Sequence, residues 1–177
     1  MADANEVSVA DPHDRYDDLL TVSDEESVDA ETFETMTENE AFTAGWVAAG
    51  VVHDDADRLL LALEGGTDDE RWVAPGGSVK PGESLSEALV REVREETGVE
   101  VDPVRPRAVA EHAIVHGDDR LSFRVVLFEA RAETTAVGDD LGEPGEAIED
   151  AGWFEELPDR VFERELLERV LRRVRSE

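Results

Sequence analysis

Glu92, Glu95 and Glu96 stand at positions i, i+3 and i+4 of one short stretch. On a helix, that spacing gathers their side chains on one side. Three like charges so close repel, and a plainly solvated helix would gain from interleaved cations. A divalent ion removes the penalty. Mg²⁺ is hard, prefers oxygen ligands, and commonly binds through a few carboxylates together with substrate phosphates. The stretch therefore offers a platform for a metal–pyrophosphate complex. The bland alternative is a set of glutamates that merely solvates an acidic helix.

The flanking residues suit the same task. Pro75-Gly76-Gly77 makes a tight turn where the backbone can approach a ligand without interference from a Cβ. Pro81-Gly82 turns again and delivers Glu83 to the start of the helix. Arg91 lies four residues before Glu95 and can reach back towards Glu83. One fixed guanidinium there orients carboxylates through bidentate hydrogen bonds. On the other side Leu85, Ala88, Leu89 and Val93 repeat at helical spacing, with Ser84 as N-cap and Gly98 as the stop.

The elements that must hold this helix are mostly strands. An apolar run at 45–52, a turn at 53–57 and a second run at 58–63 read as a β-hairpin. Residues 72–74 form a short strand before the glycines. A further pair is expected at 108–116 and 121–130, turning at 117–119, and a last strand at 152–154. A second helix is expected from about 159 to 175, with the stripe Phe162, Leu166, Leu167, Val170, Leu171 and Val174. The fold class is α/β, a mixed β-sheet between helical layers.

Residues 1–40 differ, with fourteen acids and one cation, Arg15. They read as an acidic N-terminal extension, partly helical or disordered, ahead of a domain at 41–177. Asp11-Pro12, and Ser27 or Asp29, are the candidate helix starts.

The chain carries a formal charge of −29, from 46 Asp and Glu against 17 Lys and Arg. Such a surface repels itself, and salt screens the repulsion. The pattern resembles proteins of halophilic organisms, which keep molar salt in the cytoplasm, so stability and activity are expected to rise with salt. Generic nucleic-acid or anionic-membrane binding is disfavoured. With no Cys, disulfides and thiolate metal sites are excluded. No basic or apolar leader opens the sequence, and its longest apolar-leaning run, 41–52, is too short for a bilayer. The expectation is a cytoplasmic protein.

At 77–99 the resemblance to a known family becomes specific. Gly77, five residues, Glu83, seven residues, Arg91-Glu92-Val93, one residue, Glu95-Glu96, one residue, Gly98-Val99 matches the Nudix box at every fixed position. The lead-in at 72–77 is similar too, with Ala74 where a bulkier apolar residue is common. Residues 153–158 resemble the family's closing strand and turn. The similarity spans roughly 45–175. It implies an α/β/α sandwich and metal-dependent pyrophosphohydrolase activity on nucleoside diphosphate derivatives. It also implies that Glu92, Glu95 and Glu96 bind Mg²⁺ or Mn²⁺, with the Gly76 carbonyl as a further ligand and Arg91 and Glu83 in support. A later loop at 142–150 is the expected source of another catalytic carboxylate, Glu146 first and Glu149 next.

Residues outside the box have two readings each. His112 and His116 share one strand face, as a substrate contact or base, or as ordinary surface histidines. Trp46, Trp72 and Phe123 could stack on a nucleobase or simply fill the core, Phe123 being the one expected to border the cleft. The arginines at 164–175 form either a phosphate patch or ion pairs with neighbouring glutamates. Lys80, the single lysine, sits at a variable position of the box. The partner implied is a small-molecule nucleotide, with a homodimer open. ADP-ribose hydrolases of the family often carry a Pro about sixteen residues past the box, where this chain has residues 113–116 without one. Diadenosine polyphosphate hydrolases often carry a Tyr near there, and Tyr16 is the only Tyr. By elimination a (d)NTP or oxidised nucleotide comes first and ADP-ribose or another nucleotide sugar close behind. The alternative is a non-catalytic Nudix-like domain that senses a nucleotide or binds a protein.

Overall fold

Alternate residues of one strand, β2 (Trp46–His53), face two different cores. Ala48 and Val52 point to one side of the sheet, Ala49 and Val51 to the other. A strand buried on both faces reads as a continuous apolar run, which is why 45–52 is conspicuous in the sequence. The computed structural model describes residues 9–65, 70–143 and 147–177.

Among those residues, the chain forms an eight-stranded mixed sheet. Its strands are β1 (Leu20–Ser27), β2, β3 (Leu59–Glu64), β4 (Arg71–Val73), β5 (Gly76–Ser78), β6 (Val101–His116), β7 (Asp119–Ala132) and β8 (Ile148–Phe154). The main order is β1-β6-β7-β2-β3-β4, with β5 beside β2 and β8 beside β3. The pairs β1–β6 and β2–β7 are parallel, and the others are antiparallel. Helix α3 (Leu85–Thr97) covers one face through Leu85, Ala88, Leu89 and Val93. Helix α4 (Arg164–Ser176) covers the other through Leu166, Leu167, Val170 and Leu171. The result is the expected α/β/α sandwich.

The central helix starts and stops where its sequence dictates. The Ser84 hydroxyl accepts from the Glu87 amide at 3.1 Å, and the Glu87 carboxylate accepts from the Ser84 amide at 3.3 Å. This reciprocal cap satisfies two orphan donors. Gly98 ends the helix with φ 78°, a left-handed conformation that favours glycine. Gly50 of β2 lies directly under it: a Cβ there would come within 3.0 Å of Leu89 Cδ1. A small residue in the strand lets the helix sit close to the sheet.

Several expectations change in detail. The hairpin at 45–63 is paired only at His53–Leu59, after which β2 takes β5 and β7 while β3 takes β4 and β8. Strand β6 begins at Val101, earlier than expected, and carries Pro103 and Pro106 with register shifts beside both. Proline cannot donate to the ladder, so the irregularities fall there. Helix α4 begins at Arg164 rather than near 159. The Trp72 amide donates to the Arg160 carbonyl at 2.7 Å and the Phe162 amide to the Trp72 carbonyl at 2.9 Å, so 160–162 extend along β4. Phe162 therefore leaves the helical stripe and is 41% exposed.

The acidic lead-in also contributes to the sheet. Asp11 caps a 3-10 turn at Pro12–Asp14, and Asp29 and Asn39 cap the short helices α1 (Ala30–Met36) and α2 (Glu40–Ala44). Between them β1 adds an edge strand in parallel with β6, a third outcome beside helix and disorder. Leu20 is buried against the α4 side, while Asp24 and Glu25 reach His112 and Arg120 at 2.6 and 3.3 Å. The segment is held by a few apolar contacts and by acids that find hydrogen-bond donors on its neighbours.

Among the described residues, no helix is long and apolar enough to cross a membrane.

Candidate active site

The helix turns its apolar stripe to the sheet, and this leaves Glu92, Glu95 and Glu96 beside β5 and the loop that follows it. Glu92 and Glu96 are buried, and Glu95 is half-buried. The Gly76 amide donates to Glu96 Oε2 at 3.1 Å. The Glu92 carboxylate lies where a Cβ on Gly77 would fall, 2.4–2.6 Å from that position. Gly76 is also pressed against β2, its would-be Cβ 2.3 Å from the Ala48 carbonyl. The two glycines are thus required by close approach on two sides, β2 and the carboxylates.

Arg91 is the hub. Its Nε and Nη2 donate to the two Glu83 oxygens at 2.7 and 2.8 Å, a bidentate pair. Nη1 donates to Glu92 Oε1 at 2.6 Å and to Glu95 Oε2 at 3.3 Å, and Nη2 also reaches the Ser78 carbonyl at 3.0 Å. The Lys80 amide donates to Glu83 at 2.8 Å. The Arg91 guanidinium holds the Glu83 carboxyl below its ordinary range, against the opposing effect of burial. Burial pushes the Glu95 carboxyl up; Arg91 pulls it back and Glu143 pushes it further up.

Glu143 is the residue that sequence reasoning missed. The Gly142 amide donates to the Glu95 carbonyl at 2.6 Å, which brings the loop across the end of α3. The Glu143 carboxylate interacts with that of Glu95 and lies 3.8 Å from Lys80 Nζ. Lys80 thereby gains a contact that its position in the box did not suggest. Glu146, the first choice in this loop, lies outside the described residues. Glu149 is exposed on β8 and shares a hydrogen bond with Glu70, which raises its carboxyl above the ordinary range.

Glu96 and Gly76 also line a cavity of about 280 Å³ on the α4 side of the sheet. Its walls include Ala74, His112, Phe123, Phe162 and Glu163. Phe123, expected to border a cleft, lines this cavity together with His112. Phe162 joins this wall because the backbone at 160–162 runs along β4 and is not helical. The Arg71 guanidinium sits 4.0 Å from the centre of its ring. His116 donates from Nδ1 to the Val28 carbonyl at 3.0 Å and serves the β1 junction. Trp46 and Trp72 pack against the two cores. Among the terminal arginines, Arg164 pairs with Glu168 at 3.3 Å and Arg173 donates to the Asp18 carbonyl. A wider depression of about 590 Å³ beside α4 is lined by Leu59, Arg172 and Arg175 and lies away from the glutamates.

The donor set suits a hard divalent cation. Oxygen ligands converge in excess over Arg91 and Lys80, and they stand on a rigid helix already oriented by a guanidinium. Glu92, Glu95 and Glu96 would hold such an ion.

The model of the NUDIX domain matches residues 44–170, well over half of the chain. The chain is 34% identical over 104 residues to the chloroplastic Nudix hydrolase 19 of Arabidopsis thaliana, covering 58% of this chain and 22% of that protein. It is 36% identical over 84 residues to the NAD-capped RNA hydrolase NudC of Mycobacterium tuberculosis, covering 41% and 27%. The matched segment thus spans about a quarter of these relatives. Among solved structures, a MutT Nudix hydrolase from Burkholderia pseudomallei aligns with TM-score 0.56 at 23% identity, covering 73% of this chain and 96% of that one. An ADP-ribose pyrophosphatase from Streptococcus suis aligns with TM-score 0.52 at 22% identity, covering 75% and 92%. These two likenesses speak to the fold. With the complete box at 77–99 and the family match over 44–170, this chain belongs to the Nudix family.

Proposed function

We propose that the chain is a pyrophosphohydrolase that cleaves a phosphoanhydride in a nucleoside diphosphate derivative. A (d)NTP or oxidised nucleotide is the first choice, with ADP-ribose or another nucleotide sugar next. The observation that carries the reading is Glu96, which belongs both to the carboxylate cluster and to the wall of the aromatic cavity. A nucleotide whose base lies in the cavity has its phosphates within reach of the glutamates. The substrates named for two similar proteins fall in the same class: NAD-capped RNA and ADP-ribose both contain a nucleoside diphosphate.

Glu92, Glu95 and Glu96, with the Gly76 carbonyl as a further ligand, would hold a Mg²⁺ or Mn²⁺, which would supply charge neutralisation at the pyrophosphate and polarisation at phosphorus. Arg91 and Glu83 keep the carboxylates in one geometry, so little reorganisation is needed during reaction. Water attacks phosphorus, the bridging P–O bond breaks, and the leaving phosphate departs with that oxygen. The water's proton passes to the Glu95–Glu143 pair. Phe123 and Phe162 offer ring faces for a base.

The test is a nucleotide panel with Mg²⁺ or Mn²⁺ at high salt. Glu95→Gln and Glu96→Gln are expected to lower the rate by at least about a hundredfold, and Glu143→Gln by at least about tenfold. Glu149→Gln should keep the wild-type rate. Equal turnover by the Glu95 and Glu96 variants excludes the metal role, and nucleotide binding without any turnover favours the sensor reading.

A further inference from the structure

Three segments far apart in the chain bring Asp24, His112 and Glu163 together, with ligand atoms within 4.8 Å of one another. Asp24 comes from β1, which lies before the family-matched residues 44–170. His112 and Glu163 both line the aromatic cavity.

Hydrogen-bond chemistry assigns the roles. An ionised carboxylate only accepts, so Asp24 Oδ2, 2.6 Å from His112 Nδ1, takes the Nδ1 hydrogen. In the neutral ring this leaves Nε2 as a bare acceptor. Nε2 faces Glu163 Oε1 at 3.7 Å, beyond hydrogen-bond range. Two acceptors cannot satisfy each other, but one donor group between them can serve both.

Glu163 has an uncommon backbone conformation. It is one of two non-glycine residues with positive φ among those described, at φ 57° and ψ 39°. Such strain persists where the surroundings over-determine it, and it clusters at ligand clamps. Although Glu163 sits at the N-cap of α4, its side chain makes no capping hydrogen bond. The Phe123 ring lies 5.3 Å from the His112 ring, so a stacking face adjoins the acceptor pair.

We infer that β1 completes a base-reading site: Asp24 locks the imidazole so that His112 Nε2 and Glu163 Oε1 select nucleotides whose base carries an exocyclic amino group. This rests on the nucleotide-hydrolase reading and deepens it. An amino group has two hydrogens, one for each acceptor. A carbonyl in its place sets lone pairs against lone pairs, and a hydrogen leaves both acceptors unmet. Asp24 is a positioning residue, acting through His112.

The experiment compares kcat/KM within pairs that differ at the amino group: GTP with ITP, ATP with ITP, and CTP with UTP. The wild type should prefer the amino-bearing member of at least one pair by about tenfold or more, chiefly through KM. Glu163→Leu and Asp24→Ala should bring that preference within about threefold. Asp24→Asn, whose amide oxygen still accepts, should retain most of it. Long-range ¹⁵N spectra should show His112 as the Nδ1–H tautomer in the wild type and a mixture in Asp24→Ala. No pair distinguished by more than about threefold, or a preference that survives Asp24→Ala, overturns the inference. So does saturable Zn²⁺ binding at His112 that competes with nucleotide, because the gap would then be a cation site. If nothing is hydrolysed, the underlying enzyme reading fails separately, and equilibrium binding of the same pairs decides the base-reading claim.

Discussion

The Glu92 carboxylate fills the space that a side chain on Gly77 would need, with Cδ 2.4 Å from the position of the missing Cβ. A glycine of the short strand β5 is therefore as much a part of the site as the glutamate. Gly77→Ala must displace the end of a flexible side chain, which is cheap for the fold but not for ligand geometry. We expect stability to change by about 1 kcal/mol or less, while Mn²⁺ affinity falls about ten- to a hundredfold. Gly76→Ala meets backbone instead, 2.3 Å from the Ala48 carbonyl, and should lower stability by more than about 2 kcal/mol. Metal titration and chemical unfolding of both variants separate the two cases. Unchanged metal affinity in Gly77→Ala would contradict the proposed ligand role of Glu92.

Arg91→Lys conserves charge and loses the fork. A single ammonium cannot hold both Glu83 oxygens while touching Glu92, Glu95 and the Ser78 carbonyl. The rate should drop about ten- to a hundredfold, with weaker metal binding. If lysine supports turnover within about twofold of wild type, charge alone suffices and the orienting role is wrong.

Asp54 makes a pH prediction. Its buried carboxylate accepts from the Ala56 and Arg58 amides at 3.0 and 2.9 Å and from Arg58 Nε at 2.8 Å, closing the β2–β3 turn. Burial pushes its carboxyl up, but the bonds from Arg58 and Ala56 outweigh this and hold it below 3.8. A folded value lower than the unfolded one stabilises the protein above the ordinary Asp range, and that contribution disappears as pH falls through the folded value. Asp54→Asn should cost about 1–3 kcal/mol at pH 7. The gap between variant and wild type should narrow below pH 3.8, as read by urea unfolding across pH 6 to 2.5. A gap independent of pH would refute the charge-based account.

With a formal charge of −29, the folded chain should gain stability from screening. The Debye length falls from about 10 Å at 0.1 M salt to about 3 Å at 1 M. The melting temperature should therefore rise by several degrees between 0.1 and 2 M KCl, by calorimetry. A flat or falling curve would mean that local ion pairs, such as Glu25–Arg120, outweigh the general repulsion.

Much of the site was legible because it is local. The box lies within one turn and one helix, so residue spacing alone places Glu83, Arg91, Glu92, Glu95 and Glu96 relative to one another. Glu143 was not legible: it reaches Glu95 from a loop in a chain crowded with acids, and no spacing rule distinguishes it from Glu146 or Glu149. Phe162 was misread as helical since its apolar spacing continues the α4 stripe, whereas the backbone at 160–162 is claimed by Trp72.

The sequence by itself determined the two-sided apolar strand, the capped helix with its acidic and apolar faces, and the acid excess, because these follow from periodicity and composition within short windows. Tertiary structure alone decided that β1 joins β6, that β3 parts from β2, and that Asp24, His112 and Glu163 meet beside Phe123. Those contacts join residues many positions apart, and their formation depends on which strand edge is left open once the cores are filled. A one-dimensional pattern does not carry that choice.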